Sequence, residues 1–209
     1  MLDTKKLKGF LMAPSETFKA SKGDTLGAAF QYYTILLVIW TILAAIVAAL
    51  MSHIAFQDAL IRLSNTGILG GLMAKSLANF SGFVTTMAVT AVYVFFLIAL
   101  VGVFISGFLW HVFVLLFAGG NKDIVQSIKT VMYASTPFFL LGWIPYIAII
   151  GIIWYFVLLI LGFAEMDEIT IGQSVLVVIV PLVLLLILAI LGGAVGAALM
   201  AGFQAMLVH

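Results

Sequence analysis

Five side chains in this chain have the chemistry to hold a divalent cation together: His111, Asp123, Glu165, Asp167 and Glu168. A histidine with several carboxylates supplies the nitrogen and oxygen donors such an ion takes. The competing reading is structural, an interfacial histidine satisfied by a backbone carbonyl with the acids solvated in a short turn. The structural reading is preferred, so no catalytic residue, metal or other cofactor is assigned. Other chemistries lack their parts. There is no His-Glu-x-x-His, no Gly-x-Ser-x-Gly and no pair of aspartates buried in separate spans, as intramembrane proteolysis would need. Gly119-Gly120 precedes Asn121-Lys122-Asp123 without the further glycine and Lys-Ser/Thr pair of a phosphate loop, and reads as a turn between antiparallel spans. With no cysteine, disulfides, thiolate metal sites and a cysteine nucleophile are excluded.

Whether those five groups share one face depends on the elements that carry them, and these are apolar. Of 209 residues 65% are hydrophobic and 8% charged, against about a quarter charged in a soluble domain. The surrounding solvent is therefore expected to be lipid. A net charge of +1 offers no clustered basic face for phosphates, which argues against nucleic acid. The expected fold is all-α, a single integral membrane domain over 1–209, with a transmembrane bundle of five spans. About 20 apolar residues cross the ~30 Å hydrocarbon core, and the spans are placed at 28–51, 83–117, 124–141, 145–163 and 173–207. The second carries no Asp, Glu, Lys or Arg over 35 residues. At that length it must tilt, protrude or break, with Gly102 and Gly107 as the weak points, and two short passes in its place would invert every later assignment. Proline is expected in the first turn of the fourth span, at Pro145. Residues 52–82 are read as an outer, glycine-rich loop, partly re-entrant or interfacial. Its Asn79-Phe80-Ser81 glycosylation pattern is set down to chance.

Orientation follows from basic flanks. Lys5, Lys6, Lys8, Lys19, Lys22, Lys122 and Lys129 fall on one side and only Arg62 and Lys75 on the other. This places the N-terminus, the 118–123 turn and the 164–172 turn in the cytoplasm and the C-terminus outside. Residues 5–22, with Leu7, Phe10, Leu11, Pro14 and Phe18 at helical spacing among lysines, read either as an interfacial helix on anionic lipid or as a plain topogenic flank. Small residues mark helix contacts: Gly192, Gly196 and Met200 on one row, Gly193, Ala197 and Ala201 on the next, and Ala44 with Ala48. Packing within the bundle is expected of them ahead of packing between copies. No charge lies deep in a span, which argues against a proton relay or an ion-coupled pump.

Several pieces in order resemble the Yip1 domain family. They are Pro14 with Phe18, the run from His111 to Gly120, Tyr133-Ala134-Ser135-Thr136-Pro137, then Trp143, Pro145 and Trp154, and finally Gly162-Phe163-Ala164-Glu165 leading into Ile169-Thr170 and Ser174. Ser174 departs from the alanine common at that position. The resemblance implies a five-span fold with a cytoplasmic N-terminus. It makes His111, Gly119, Gly120, Tyr133, Pro137 and Glu165 the candidate motif at the cytoplasmic face. Eukaryotic members are associated with trafficking between endoplasmic reticulum and Golgi and with prenylated Rab-type GTPases. The short N-terminal region here resembles prokaryotic members instead, so Rab binding is not carried over and a prokaryotic cell membrane is the expected location. The expected function is non-enzymatic, organising membrane or partner proteins through the cytoplasmic face. The alternative is a small transporter or channel for a divalent cation or a lipid, and an enzyme ranks last. Expected partners are membrane lipid, proteins at the cytoplasmic face, and a second copy of the chain.

Overall fold

A computed structural model describes residues 3–119 and 123–208; Gly120, Asn121 and Lys122 lie outside that set. Among the described residues every regular element is helical. Two short helices come first, α1 (Thr4–Met12) and α2 (Pro14–Ser21). The Asp3 side chain accepts from the Lys5 and Lys6 amides to start α1, and Pro14 opens α2 where no amide is missed. After a loop, Thr25 caps α3 (Leu26–Ser64), followed by α4 (Ile68–Leu77), one 3₁₀ turn (Ala78–Phe80) and α5 (Ser81–Ala118). Asp123 caps α6 (Ile124–Ala134), which meets α7 (Thr136–Leu141) at Ser135; α8 (Ala148–Met166) and α9 (Ile171–Val208) complete the chain.

Four stretches are long and apolar enough to cross a membrane: α3, the run through α4 and α5, α8, and α9. The segment read as the third span is instead two helices of 11 and 6 residues broken at Ser135. It is also the centre of the molecule. Every residue of α6 from Ser127 to Ala134 is buried, with α3, α5 and α8 packed around it.

The stretch read as a loop at 52–82 is helical almost throughout. Residues 52–64 contain no glycine or proline, so backbone hydrogen bonding carries α3 on after continuous apolarity ends. Arg62 Nε donates to Asp58 Oδ2 at 2.9 Å one turn away. The chain turns only at Gly67, whose φ of +108° suits a residue without a Cβ. Helix α5 likewise runs unbroken through Gly102 and Gly107, where weakness was expected. Gly107 is a contact point: a Cβ there would lie 2.8 Å from the Ile128 Cα. Pro145 stands in the turn before α8 rather than in its first helical turn.

The glycine rows of α9 do not pack within the bundle. Ser174, Val177, Val178 and Pro181 are buried, but every residue from 183 to 200 is exposed, and a Cβ at Gly192, Gly193 or Gly196 would meet nothing. Ala201 lies outside the residues whose side chains are described. The N-terminal hairpin behaves oppositely. Phe10 and Phe18 are fully buried, with ring centroids 4.9 Å apart, so these two rings pack into the bundle, while Met12 stays exposed.

Candidate functional site

The candidate residues gather at one end of the bundle, where buried polar side chains form two connected groups. In the first, His111 of α5 and Asp167, just past α8, are joined through Ser127 of α6. His111 Nδ1 lies 2.8 Å from Ser127 Oγ, and that hydroxyl donates to Asp167 Oδ1 at 2.8 Å. All three are buried. A serine has one proton to give, so with it on Asp167 the Nδ1–H of His111 must be the donor to Ser127. The order matters chemically. In nucleophilic catalysis histidine takes the serine proton and the carboxylate orients the histidine. Here serine stands in the middle and its proton points at the acid, so the hydroxyl is not activated. The arrangement is a hydrogen-bonded staple between three helices. It also sets the C-terminal ends of α5 and α8 level with the start of α6, and Gln173 Nε2 donates to the Phe117 carbonyl at 3.2 Å, adding the start of α9.

The second group centres on Asp24, in the loop before α3. Its Oδ2 receives the Lys6 ammonium and the Tyr133 hydroxyl, the latter at 2.5 Å. Lys6 also lies 5.4 Å from the centre of the Tyr133 ring. Lys129, 1% exposed, donates to the backbone carbonyls of Lys22 and Asp24 at 2.9 Å each. Burial pulls the Asp24 carboxyl upward, but hydrogen bonds from Lys6 and Tyr133 and the charges of Lys6 and Lys129 outweigh it and hold the group below its ordinary value. Beside Asp24, Phe10 stacks on Tyr133 at 4.9 Å, and Tyr32 shares a hydrogen bond of 3.1 Å with Thr136.

The five candidate metal ligands do not converge. Asp123 accepts from the Val125 amide at 2.9 Å as a helix cap. Glu165 pairs with Lys19 at 3.6 Å, and Glu168 pairs with Lys22. Among the described residues no three histidine or acidic side chains are placed to hold one ion. Gly119, with φ +70°, ends α5, and the carbonyl of Pro137 faces Gly151 of α8. Sequence reading missed Ser127, Asp24 and Lys6 as members of these groups and took Lys129 for a flanking charge. The available signal was the cluster of Ser127, Lys129 and Thr130 within an otherwise apolar segment.

These positions fall in the order of a known family, and the family model for the Yip1 domain matches residues 8–193. The chain belongs to the Yip1 domain family. Neither a curated protein nor a solved structure matches it. In this Yip1 domain two of the residues that carried the resemblance, Phe18 and Gly162, pack on one another across the chain. A Cβ at Gly162 would lie 2.6 Å from Thr130 Cγ2 and 2.8 Å from Phe18 Cζ, so the Gly162 position and the Phe18 position fit as a pair. Glu165, one turn on, pairs with Lys19 beside Phe18. Ser174 donates to the Ile160 carbonyl, a bond that alanine could not make. Yip1 membership and the apolar helices make this an integral membrane protein.

Proposed function

We propose that this Yip1 domain protein crosses the membrane five times with its N-terminus in the cytoplasm, and that it works without catalysis, organising partner proteins at the cytoplasmic end of the bundle. The observation that carries the topology is the His111–Ser127–Asp167 staple. It supports placing the ends of α5 and α8 at one face. Helix α8, at 19 residues, is about 28 Å long and matches the hydrocarbon core, so its start belongs at the opposite face. The chain must then travel from one face to the other between residues 119 and 148, and α6 with α7 makes that crossing despite the break at Ser135. Seven of the nine basic residues are assigned to the stapled face by this topology, as a cytoplasmic side requires.

A non-enzymatic role is supported by how the polar groups are used. The histidine, serine and acids that could have done chemistry hold helices and the N-terminal hairpin together. What the hairpin leaves outward is Lys5, Lys8, Met12 and Glu16, all exposed. Crosslinking in native membranes, followed by purification of wild type and of Lys5→Glu/Lys8→Glu, tests the role. Partners captured by wild type and lost from the charge-reversed protein are expected. An identical partner set from both would count against this face.

A further inference from the structure

The bundle holds glycines of two kinds. Those at 107, 151 and 162 let helices touch: an added Cβ would lie 2.8 Å from the Ile128 Cα, 3.1 Å from the Pro137 carbonyl oxygen and 2.6 Å from Thr130 Cγ2, respectively. Gly102 differs. A Cβ there meets only Ile98 Cγ2 of its own helix, at 4.0 Å, so its missing side chain leaves space rather than contact. That space belongs to a cavity of about 360 Å³, whose lining includes Tyr33, Phe95, Gly102, Ser135, Phe138 and Tyr155.

The lining has little to offer a polar ligand. Tyr33 donates to the Ala99 carbonyl at 3.0 Å, Ser135 to Val131 at 2.8 Å and Ser106 to Val103 at 3.1 Å. Those three hydroxyl protons are turned onto the backbone, the Tyr155 hydroxyl is hydrogen-bonded to Trp110, and no charged side chain lines the cavity. Water needs two to four polar partners and gains nothing from entering. Two rims are open: Phe95 and Ile98 on α5 and Ile152 on α8 line the cavity and are themselves exposed. Both helices touch α6 and α9 but pack little on one another, which leaves a lateral gap between them. Measured along α5 from His111, the lining from Ser106 to Phe95 lies roughly 8 to 24 Å away, within the depth of the ~30 Å hydrocarbon core.

We propose that this cavity binds one acyl chain of a bilayer phospholipid, admitted sideways between α5 and α8. Acyl chains are what the bilayer presents at the gap, and an empty apolar cavity forfeits the dispersion contacts that a chain would restore. A partner helix, about 10 Å across with its side chains, is too thick for a volume of about 360 Å³. At this depth no charged lining group could hold a headgroup, so the site takes the tail alone.

Trp40 reports on the site. It is buried from bulk lipid, and its ring lies 4.9 Å from Phe95 and 5.8 Å from Phe138, both in the lining. The test uses the full chain with Trp110, Trp143 and Trp154 changed to Phe, reconstituted in phosphatidylcholine bilayers with chains brominated at mid-length. Trp40 emission is expected to be quenched relative to unbrominated phosphatidylcholine. Gly102→Phe, which the open space accommodates, is expected to abolish that quenching while the protein still melts cooperatively. Ala99→Leu fills the same cavity and serves if Gly102→Phe does not fold. No quenching of Trp40, or equal quenching after the cavity is filled, would overturn the proposal.

Discussion

Burying an ammonium in a helix is costly unless hydrogen bonds and a nearby counter-charge offset its lost hydration. Lys129 has both, in the Lys22 and Asp24 carbonyls to which it donates and in the charge of Asp24 nearby. Replacing it by methionine keeps the volume but strands the Asp24 carbonyl and leaves the Lys22 carbonyl only its 3.4 Å contact from Gln126 Nε2, and is expected to cost about 3 kcal/mol, seen as a lower melting midpoint in detergent. The same group predicts a pH dependence. Because the folded Asp24 is held below its ordinary 3.8, its contribution is complete above the unfolded value and fades as pH falls through the folded one. Wild type is therefore expected to lose melting temperature below about pH 4 faster than Asp24→Asn, whose side chain does not titrate. Equal losses would mean that the Lys6–Asp24–Tyr133 group does not stabilise the fold. In the other group, Ser127→Ala removes the acceptor of the buried His111 N–H and one hydrogen bond to Asp167, at about 1–3 kcal/mol. Little of this was legible in the sequence. His111 and Asp167 could be singled out as polar residues beside apolar spans, but their link runs through a serine, too common a residue to draw notice.

At the scale of elements, hydropathy locates apolar helices well and their contacts poorly. The cores of α3, α5, α8 and α9 were legible because each carries an uninterrupted apolar run. The extension of α3 to Ser64 was not, since a helix is held by its backbone and does not stop where charge begins. Nor could apolarity reveal that α6, the least apolar of the proposed spans, is the one enclosed on all sides. Packing of the N-terminal hairpin shows what such contacts contribute. Phe18 fits against Gly162, and truncating a fully buried phenylalanine costs about 3–5 kcal/mol. Phe18→Ala is expected to release α2 from α8 and expose Lys19 and Lys22 to trypsin in intact vesicles with the stapled face outward. Gly162→Leu should act in the same direction through overlap with Phe18 and Thr130. Unchanged digestion of both variants would show that the hairpin is held by its polar contacts instead.

For the whole molecule, helix lengths and the staple must be reconciled with one bilayer. Helices α3, α5 and α9 have 39, 38 and 38 residues, about 57 Å each, roughly twice the ~30 Å core. A tilt of up to about 40° shortens such a helix only to some 44 Å along the normal, so each extends past the core. With their starts or ends tied at the stapled face, the excess falls at the far face, where the α3–α4–α5 hairpin turns at Gly67 and the second half of α9 stands clear of the bundle. The proposed crossing by α6 and α7 puts the turn before α8 at that far face too. Because the chain has no cysteine, single cysteines can map this directly. Ala20→Cys, on the outward side of α2, is expected to react with a membrane-impermeant maleimide from the stapled face alone. Thr66→Cys, next to Gly67, and Tyr146→Cys, at a side chain 92% exposed, are expected to react only from the opposite face. Tyr146→Cys is the decisive position. Labelling from the same side as Ala20→Cys would make the α6–α7 pair a re-entrant element, and with the ends of α5 and α8 still tied through Ser127, α8 would then have to lie without crossing.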